Sequence, residues 1–336
     1  MIETSLSPTL IAMIRNSERV ALIPHERPDA DALGATLGLA RALTTAGKTA
    51  RVLLGEFVKE SLGFLPGFAD LALGHSAEAN AFLAAADLTL VCDTHEPTLL
   101  GRWLEPLERV IARDASAVAV IDHHNPKGEL IFSQGWIDPS YSSTCEMMLL
   151  ALQRLGWPLD AAIASNFMAG IMFDTSRFTN ANTQPRTLTN AAKLVEHGAD
   201  VADINGRLFS LGTPAEVQLR GEVYASIHMG FGGRYVWVAV TQAQLDRLGL
   251  DESALTGFSN DLRLIEGVKV AAVLYATQPD STRASLRSRD GYEVRQIAEQ
   301  YPAGGGHSVA AGCQIPLPLE QAAADLQQKI ATLFTS

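Results

Sequence analysis

From Val20 to about Asp174, short apolar runs alternate with helix-like stretches. Parallel strands cannot be joined by tight turns; each crossover needs a dozen or more residues, usually a helix, so this alternation is the pattern of a parallel sheet wrapped by helices. "RVALIPH" from Arg19, "ARVLLG" from Ala50, "DLTLVCD" from Asp87 and "SAVAVID" from Ser116 read as its strands. "DADALGATLGLARALTTAG", from Asp29, reads as a helix in which Leu33, Leu37, Ala40 and Leu43 recur at helical spacing. Gly34 and Gly38 share one side of it and would permit close approach to the sheet, and Gly47 supplies a stop.

After Asn180 the sequence turns to helical stretches without intervening strands, "TLTNAAKLVEHGADVADINGRLF" and "TPAEVQLRGEVYASI". A second α/β unit follows from about Met229, with strands in "RYVWVAVT", "KVAAVLYAT", "TRASLRSR" and "GCQI", a glycine loop before the last of these, and a closing helix "LEQAAADLQQKIATLF". The expected organisation is an α/β parallel-sheet domain over residues 1–185, a helical connector over 186–225 and a smaller α/β domain with a mixed sheet over 226–336.

No stretch approaches the ~18 uninterrupted apolar residues of a membrane span, and the N-terminus lacks a basic region leading into a long apolar one. Cys92, Cys145 and Cys313 are odd in number, widely spaced and without a CxxC, which implies neither a disulfide framework nor a zinc cluster and fits a reducing cytoplasm. The formal net charge of −11 argues against a partner as large as a long nucleic-acid duplex. A short anionic substrate stays compatible with it, provided bound cations offset part of the acidity.

Four segments of the first half end a strand or a buried helix in acids and histidines: "HERPDAD" (His25, Asp29, Asp31), "VCDT" (Asp93), "IDHH" (Asp122, His123, His124) and "MFDTSRF" (Asp174). In an open parallel sheet the carboxyl ends of the strands line one crevice, so the four should converge. Carboxylates and imidazoles gathered there would repel one another and be costly to desolvate unless cations sat among them. An oxygen-rich set with a minority of imidazole suits Mn²⁺, Mg²⁺ or Fe²⁺. Two such ions about 3.5–4 Å apart, sharing a carboxylate, make a hydrolytic centre for phosphoryl transfer. Asp29 would also make an acceptable helix N-cap.

"HERPDADALG", "VCDT", "IDHHNP", "GIMFDTSRF" and "GGGHSVAAG", in this order, resemble the DHH phosphoesterase superfamily with a C-terminal DHHA1 domain, over nearly the whole chain. The length is most similar to its nano-RNase branch, whose members also act as pAp phosphatases. The resemblance implies a two-metal enzyme, Mn²⁺ most naturally, that hydrolyses oligoribonucleotides of two to five residues to mononucleotides and dephosphorylates pAp. His25, Asp29 and Asp93 would then hold one metal and Asp31, Asp93, His123 and Asp174 the other, with Asp93 as the bridge. His124 would meet the phosphate as a catalytic group, and Asp122 would orient a histidine or water. Phe173 departs from the pattern, since relatives often have a small polar residue there. His95 reads as an ordinary loop histidine, and Ser143 with Glu146 as a capping box.

In "TRASLRSR", Arg283, Ser285, Arg287 and Arg289 fall on one face of a strand and Ala284, Leu286 and Ser288 on the other. A row of guanidiniums suits phosphate, although it also describes a charged edge strand that deters aggregation. Gly304, Gly305 and Gly306 would let backbone approach an anion, with His307 as a donor or proton carrier. The resemblance turns this loop and strand toward the metal crevice, so that Arg283, Arg287, Ser288, the three glycines and His307 would grip substrate, the second domain closing about a hinge in residues 185–225. Expected partners are short single-stranded RNA or DNA, pAp, cyclic dinucleotides such as c-di-AMP, linear dinucleotides, and a second copy of the chain in a homodimer, with no long duplex and no membrane. Beside the enzyme reading stand a cyclic or linear dinucleotide phosphodiesterase and, in another class, a nucleotide-binding sensor without turnover.

Overall fold

In the computed structural model the alternating runs pair as expected. The structure describes all residues except 1, 56, 72–73, 127–129, 210–211, 290 and 335–336, together with the side chains of Thr277 and His307. The chain divides into two compact units, Met1–Ser210 and Leu211–Ser336.

The first unit runs β1 (Ile2–Glu3), α1 (Pro8–Asn16), β2 (Arg19–Pro24), α2 (Ala30–Thr45), β3 (Thr49–Val52), α3 (Ala77–Ala85), β4 (Leu88–Cys92), α4 (Leu104–Arg113), β5 (Val118–Asp122), β6 (Gly135–Ile137), α5 (Thr144–Leu155), α6 (Ala161–Asp174), α7 (Pro185–Glu196) and α8 (Val201–Phe209). Its sheet has the order β1-β6-β5-β4-β2-β3, with every pairing parallel. β4 and β5 are buried at every position, because helices cover both faces, and this is why they read as unbroken apolar runs. The cluster on one face contains Leu22, Leu90 and Ile121 with α2, α5 and α6, and the cluster on the other contains Ile23, Val91 and Val120 with Leu83, Trp103 and Leu107.

Gly34 and Gly38 do permit close approach, but to α6 rather than to the sheet. A Cβ on Gly34 would sit 2.4 Å from the Asn166 carbonyl oxygen, and one on Gly38 2.4 Å from the Phe167 ring. α6 is apolar nearly all round and packs against α2, α5, α7 and α8. Thus α7 and α8, from the expected connector, complete the layer around α6, while the unit boundary falls within that connector.

The second unit runs α9 (Pro214–Ala225), β7 (His228–Gly230), β8 (Tyr235–Val240), α10 (Gln242–Leu248), α11 (Phe258–Arg263), β9 (Val270–Gln278), β10 (Ser281–Ser288), α12 (Val294–Ala298), β11 (Gly305–His307), β12 (Ala310–Ile315) and α13 (Leu319–Ala331). Its sheet is mixed, in the order β11-β12-β10-β9-β8-β7, with β8 and β9 parallel and the other pairs antiparallel. The residues read as a glycine loop include a strand, since Gly305–His307 pairs with β12. Among the described residues no helix is long and apolar enough to cross a membrane.

Candidate metal centre

In the first sheet β2 neighbours both β3 and β4, so the chain leaves β2 toward one edge and returns to build toward the other. A crevice opens at the carboxyl ends of strands where the order reverses in this way. His25 follows β2, Asp93 follows β4, and Asp122 to His124 close β5. Asp93 turns the chain at φ 64°, a left-handed conformation that aspartate tolerates better than most side chains, and its N–H donates to the Ile121 carbonyl at 3.0 Å.

Helices bring in the remaining carboxylates. Asp29 caps α2, its Oδ1 accepting from Asp31 N at 2.9 Å and Ala32 N at 3.1 Å, and it stands beside His25 and Asp93 as well. N-capping and metal binding are therefore compatible at this residue. Asp31, fully buried on α2, is held by the N-terminus of α5: Thr144 N donates to its Oδ2 at 2.7 Å and Cys145 N to its Oδ1 at 2.9 Å. The Thr144 hydroxyl donates to Asp93 Oδ1 at 2.9 Å. Positive partial charge at a helix N-terminus favours a carboxylate in this position. These positioning groups lie in "SSTCE", which also resembles a segment found near the site in the superfamily, although its spacing reads equally as a cap.

Three groups have donor atoms within 4.8 Å of one another: His25, Asp29 and Asp93; Asp31, His123 and Asp174; and Asp93, His123 and His124. His123 Nε2 lies 2.9 Å from Asp174 Oδ2, 3.6 Å from Asp93 Oδ1 and 3.9 Å from Asp31 Oδ2. Despite this company it is buried without a well-formed hydrogen bond. A buried nitrogen ringed by carboxylate oxygens, none of them aligned to accept a proton from it, fits a divalent cation among them. His25 Nε2 is likewise 3.7 Å from Asp93 Oδ2.

The electrostatics express the same excess of negative charge. Burial first, then the charges of Asp31, Asp29 and Asp174, push the Asp93 carboxyl well above the usual carboxylate range. Burial and Asp31 raise Asp174 to about 6. Burial would lower His123, yet the close approach and charge of the Asp174 carboxylate, with Asp31 behind it, raise it to about 9. His25 is lowered, mainly by burial. Divalent cations would keep these acids ionised and the imidazoles neutral.

Asp122 is different. Burial works to raise its pKa, but hydrogen bonds from His124 and His95 prevail and hold it far below the usual range. Its Oδ1 takes His124 Nδ1 at 2.7 Å and the His124 backbone N–H at 3.1 Å, and its Oδ2 takes His95 Nδ1 at 2.5 Å. The reading of His95 as an ordinary loop histidine is thus corrected: it is 1% exposed and bound to the carboxylate that holds His124. The capping box is corrected by half. Ser143 Oγ accepts from Glu146 N at 3.1 Å, but the buried Glu146 carboxylate turns to Ser142, Arg186, Thr187 and Asn190.

In the second unit the expected face of β10 is present, and its side chains have partners within the protein. Arg283 pairs with Glu252, Arg287 Nε donates to Asn260 Oδ1 at 3.1 Å and its Nη1 to the Leu286 carbonyl at 3.0 Å, and Arg289 Nε donates to the Val268 carbonyl at 3.0 Å. Burial, then Arg263, lowers the Arg287 pKa. Ser288 does not join this row: it is 2% exposed on the opposite face, and its hydroxyl donates to the Tyr292 carbonyl at 2.5 Å. Gly304 and Gly306 are explained by close backbone packing, since a Cβ would meet the Ala298 carbonyl oxygen at 1.8 Å and the Ala310 carbonyl oxygen at 2.4 Å respectively. Gly305 faces open space. The His307 side chain lies outside the described residues.

Residues 19–171 match the DHH family N-terminal domain and residues 233–336 the DHHA1 domain. A Thermus thermophilus protein named bifunctional oligoribonuclease and PAP phosphatase NrnA is 32% identical over 308 residues, which cover 90% of this chain and 86% of that one. The crystal structure of an exopolyphosphatase-related protein from Bacteroides fragilis shares the fold at a TM-score of 0.88 and 21% identity, over 96% of this chain and 94% of that one. RecJ from Thermus thermophilus, solved in complex with Mn²⁺, aligns at a TM-score of 0.55 and 14% identity over 99% of this chain and 56% of its own. The chain belongs to the DHH family, with a DHHA1 domain following its DHH N-terminal domain.

Proposed function

We propose that this protein hydrolyses phosphoester bonds in short oligoribonucleotides and removes phosphate from pAp. The observation that carries the proposal is the meeting of two ligand groups, His25–Asp29–Asp93 and Asp31–His123–Asp174, with Asp93 Oδ1 only 3.6 Å from His123 Nε2. The Thermus relative, named for both activities, is similar over most of the chain and supports the substrate class.

His25, Asp29 and Asp93 would hold one divalent cation, and Asp31, Asp93, His123 and Asp174 a second, Mn²⁺ being the natural choice for this donor set. When bound, the pair would supply the Lewis acidity that lets water attack phosphorus near neutral pH. The residues of the chain orient the rest. The α5 N-terminus and Thr144 hold Asp31 and Asp93 in place, and Asp122 presents the His124 ring, 29% exposed, for a phosphoryl oxygen or the leaving group. In the second unit Arg287 is the preferred phosphate contact, since its neighbour Asn260 is neutral and releases a guanidinium more readily than Glu252 releases Arg283. The net charge of −11 favours a short substrate over a duplex, and the three cysteines, free and buried, suit the reducing cytoplasm in which we place the reaction.

The test is hydrolysis with Mn²⁺ of pAp, a short RNA, c-di-AMP and pyrophosphate in parallel, beside Asp93→Ala. Turnover of RNA and pAp by wild type alone supports the reading. Preference for c-di-AMP would replace it with a cyclic dinucleotide phosphodiesterase, and nucleotide binding without turnover of any substrate would replace it with a sensor.

A further inference from the structure

We propose that His95 is a positioning residue, which grips one oxygen of Asp122 so that the other oxygen locks His124 in a single tautomer and orientation. The inference rests on the phosphoesterase reading for its kinetic consequence, and on geometry alone for the lock.

An ionised carboxylate only accepts hydrogen bonds, so any ring nitrogen facing it must carry hydrogen. His95 Nδ1 lies 2.5 Å from Asp122 Oδ2, and His124 Nδ1 lies 2.7 Å from Asp122 Oδ1. Both histidines therefore present Nδ1–H to Asp122, which leaves Nε2 as the nitrogen through which His124 takes up or delivers a proton. A carboxylate anchored at one oxygen can still pivot about its bond to Cβ, whereas one anchored at both oxygens cannot. The His124 backbone N–H, 3.1 Å from Oδ1, adds a donor only on the side His124 already occupies. His95 is what secures the opposite oxygen. With His95 1% exposed and Asp122 fully buried, water is poorly placed to substitute.

The backbone accounts for how His95 gets there. Cys92 and Ile121 are register partners on adjacent parallel strands, so the residues just past β4 and β5 emerge side by side. The left-handed turn at Asp93, φ 64°, then carries the chain toward Asp122 rather than onward along the strand. The device thus needs a histidine two residues beyond Asp93, and it leaves the proposed metal-holding atoms untouched.

Full-length, metal-free protein labelled with ¹⁵N-histidine tests the lock in long-range proton–nitrogen correlation spectra, with His124 assigned by its loss in His124→Gln. Wild type should show His124 as the Nδ1–H tautomer. His95→Gln, whose amide corresponds to the Nε2 position, should give mixed tautomers, and His95→Asn, whose amide nitrogen can stand in for Nδ1, should restore the wild-type pattern. With Mn²⁺ and short RNA, His95→Gln should lower kcat about 10- to 100-fold at unchanged KM, and His95→Asn should recover most of it. A His95→Gln protein with wild-type tautomer and kcat would overturn the proposal, as would His95→Asn failing as badly as His95→Gln. A wild type with the expected tautomer but no hydrolysis would sink the phosphoesterase reading and leave the lock standing.

Discussion

The two units treat charge in opposite ways. In the first, carboxylates and histidines are drawn out of water and close to one another until the protein's own groups no longer balance them: Asp93 is pushed well above its ordinary pKa, and His123 Nε2 has oxygens around it but no aligned hydrogen bond. In the second, the charged face of β10 is settled within the protein, Arg283 on Glu252, Arg287 on Asn260 and Arg289 on main-chain carbonyls. A cluster that its own fold leaves unbalanced requires a ligand from outside. A row that is already partnered can bind one only by exchanging partners, so it should tune affinity rather than create the reaction.

The sharpest attempt to break this contrast is Asp93→Asn. If Asp93 joins the two ligand groups, the variant should lose at least about a thousandfold in kcat/KM, roughly 4 kcal/mol, and bind less Mn²⁺ by calorimetry. Retention of wild-type Mn²⁺ stoichiometry and kcat/KM would show that Asp93 does not join the two ligand groups. Gly170→Ala comes next. A Cβ there would stand 2.3 Å from Cys145 Sγ and 2.5 Å from Asp31 Oδ1, so the carboxylate must shift. Mn²⁺ affinity should fall about 10- to 100-fold, as it does when the support of a ligand is lost.

The pH dependence of metal binding separates the units without mutation. His123, raised to about 9, and Asp174, raised to about 6, hold protons in the metal-free protein that a cation must displace. Below its raised pKa His123 is charged and competes, so Mn²⁺ affinity should fall as pH drops from 8 to 6.5, by about tenfold per unit for each proton released. The charge on Arg287 does not change over this range, so any loss traced to it should be independent of pH. Titration calorimetry at several pH values checks both statements.

Much of this centre is legible in the sequence because parallel topology puts the residues after successive strands in one place; His25, Asp93 and His123 needed only their strands to be recognised. What could not be read depends on partners distant in sequence. Glu146 has the spacing of a capping box, and nothing local indicates that Thr187 and Asn190 will take its carboxylate. α6 is apolar nearly all round, so no periodicity shows that Gly34 and Gly38 will pack on it. His95 follows Asp93 with no pattern of its own, and its burial depends on a backbone turn that sequence does not declare. The run at Gly304 to Gly306 looks like an anion cradle, yet two of its glycines answer to neighbouring main chain.

Arg287→Ala tests whether the second unit tunes affinity. KM for a short RNA should rise about tenfold with kcat nearly constant, the pattern of an interaction made equally before and during reaction. A comparable loss in kcat would mean that the guanidinium acts on the reacting phosphate, and the contrast between the units would have to be redrawn.

Ser288→Ala should have the smallest effect, and it discriminates between the two faces of β10. Sequence places Ser288 among the substrate contacts beside Arg287, but alternation along the strand turns it inward with Ala284 and Leu286, where its hydroxyl satisfies the Tyr292 carbonyl. Removing one buried hydrogen bond and leaving its acceptor unmet costs about 1 kcal/mol. The variant should therefore unfold at slightly lower denaturant while its KM for RNA matches wild type. Should KM rise while stability stays put, Ser288 must reach substrate by turning out of its buried position, and the internal partners of β10 would be a resting arrangement rather than the working one.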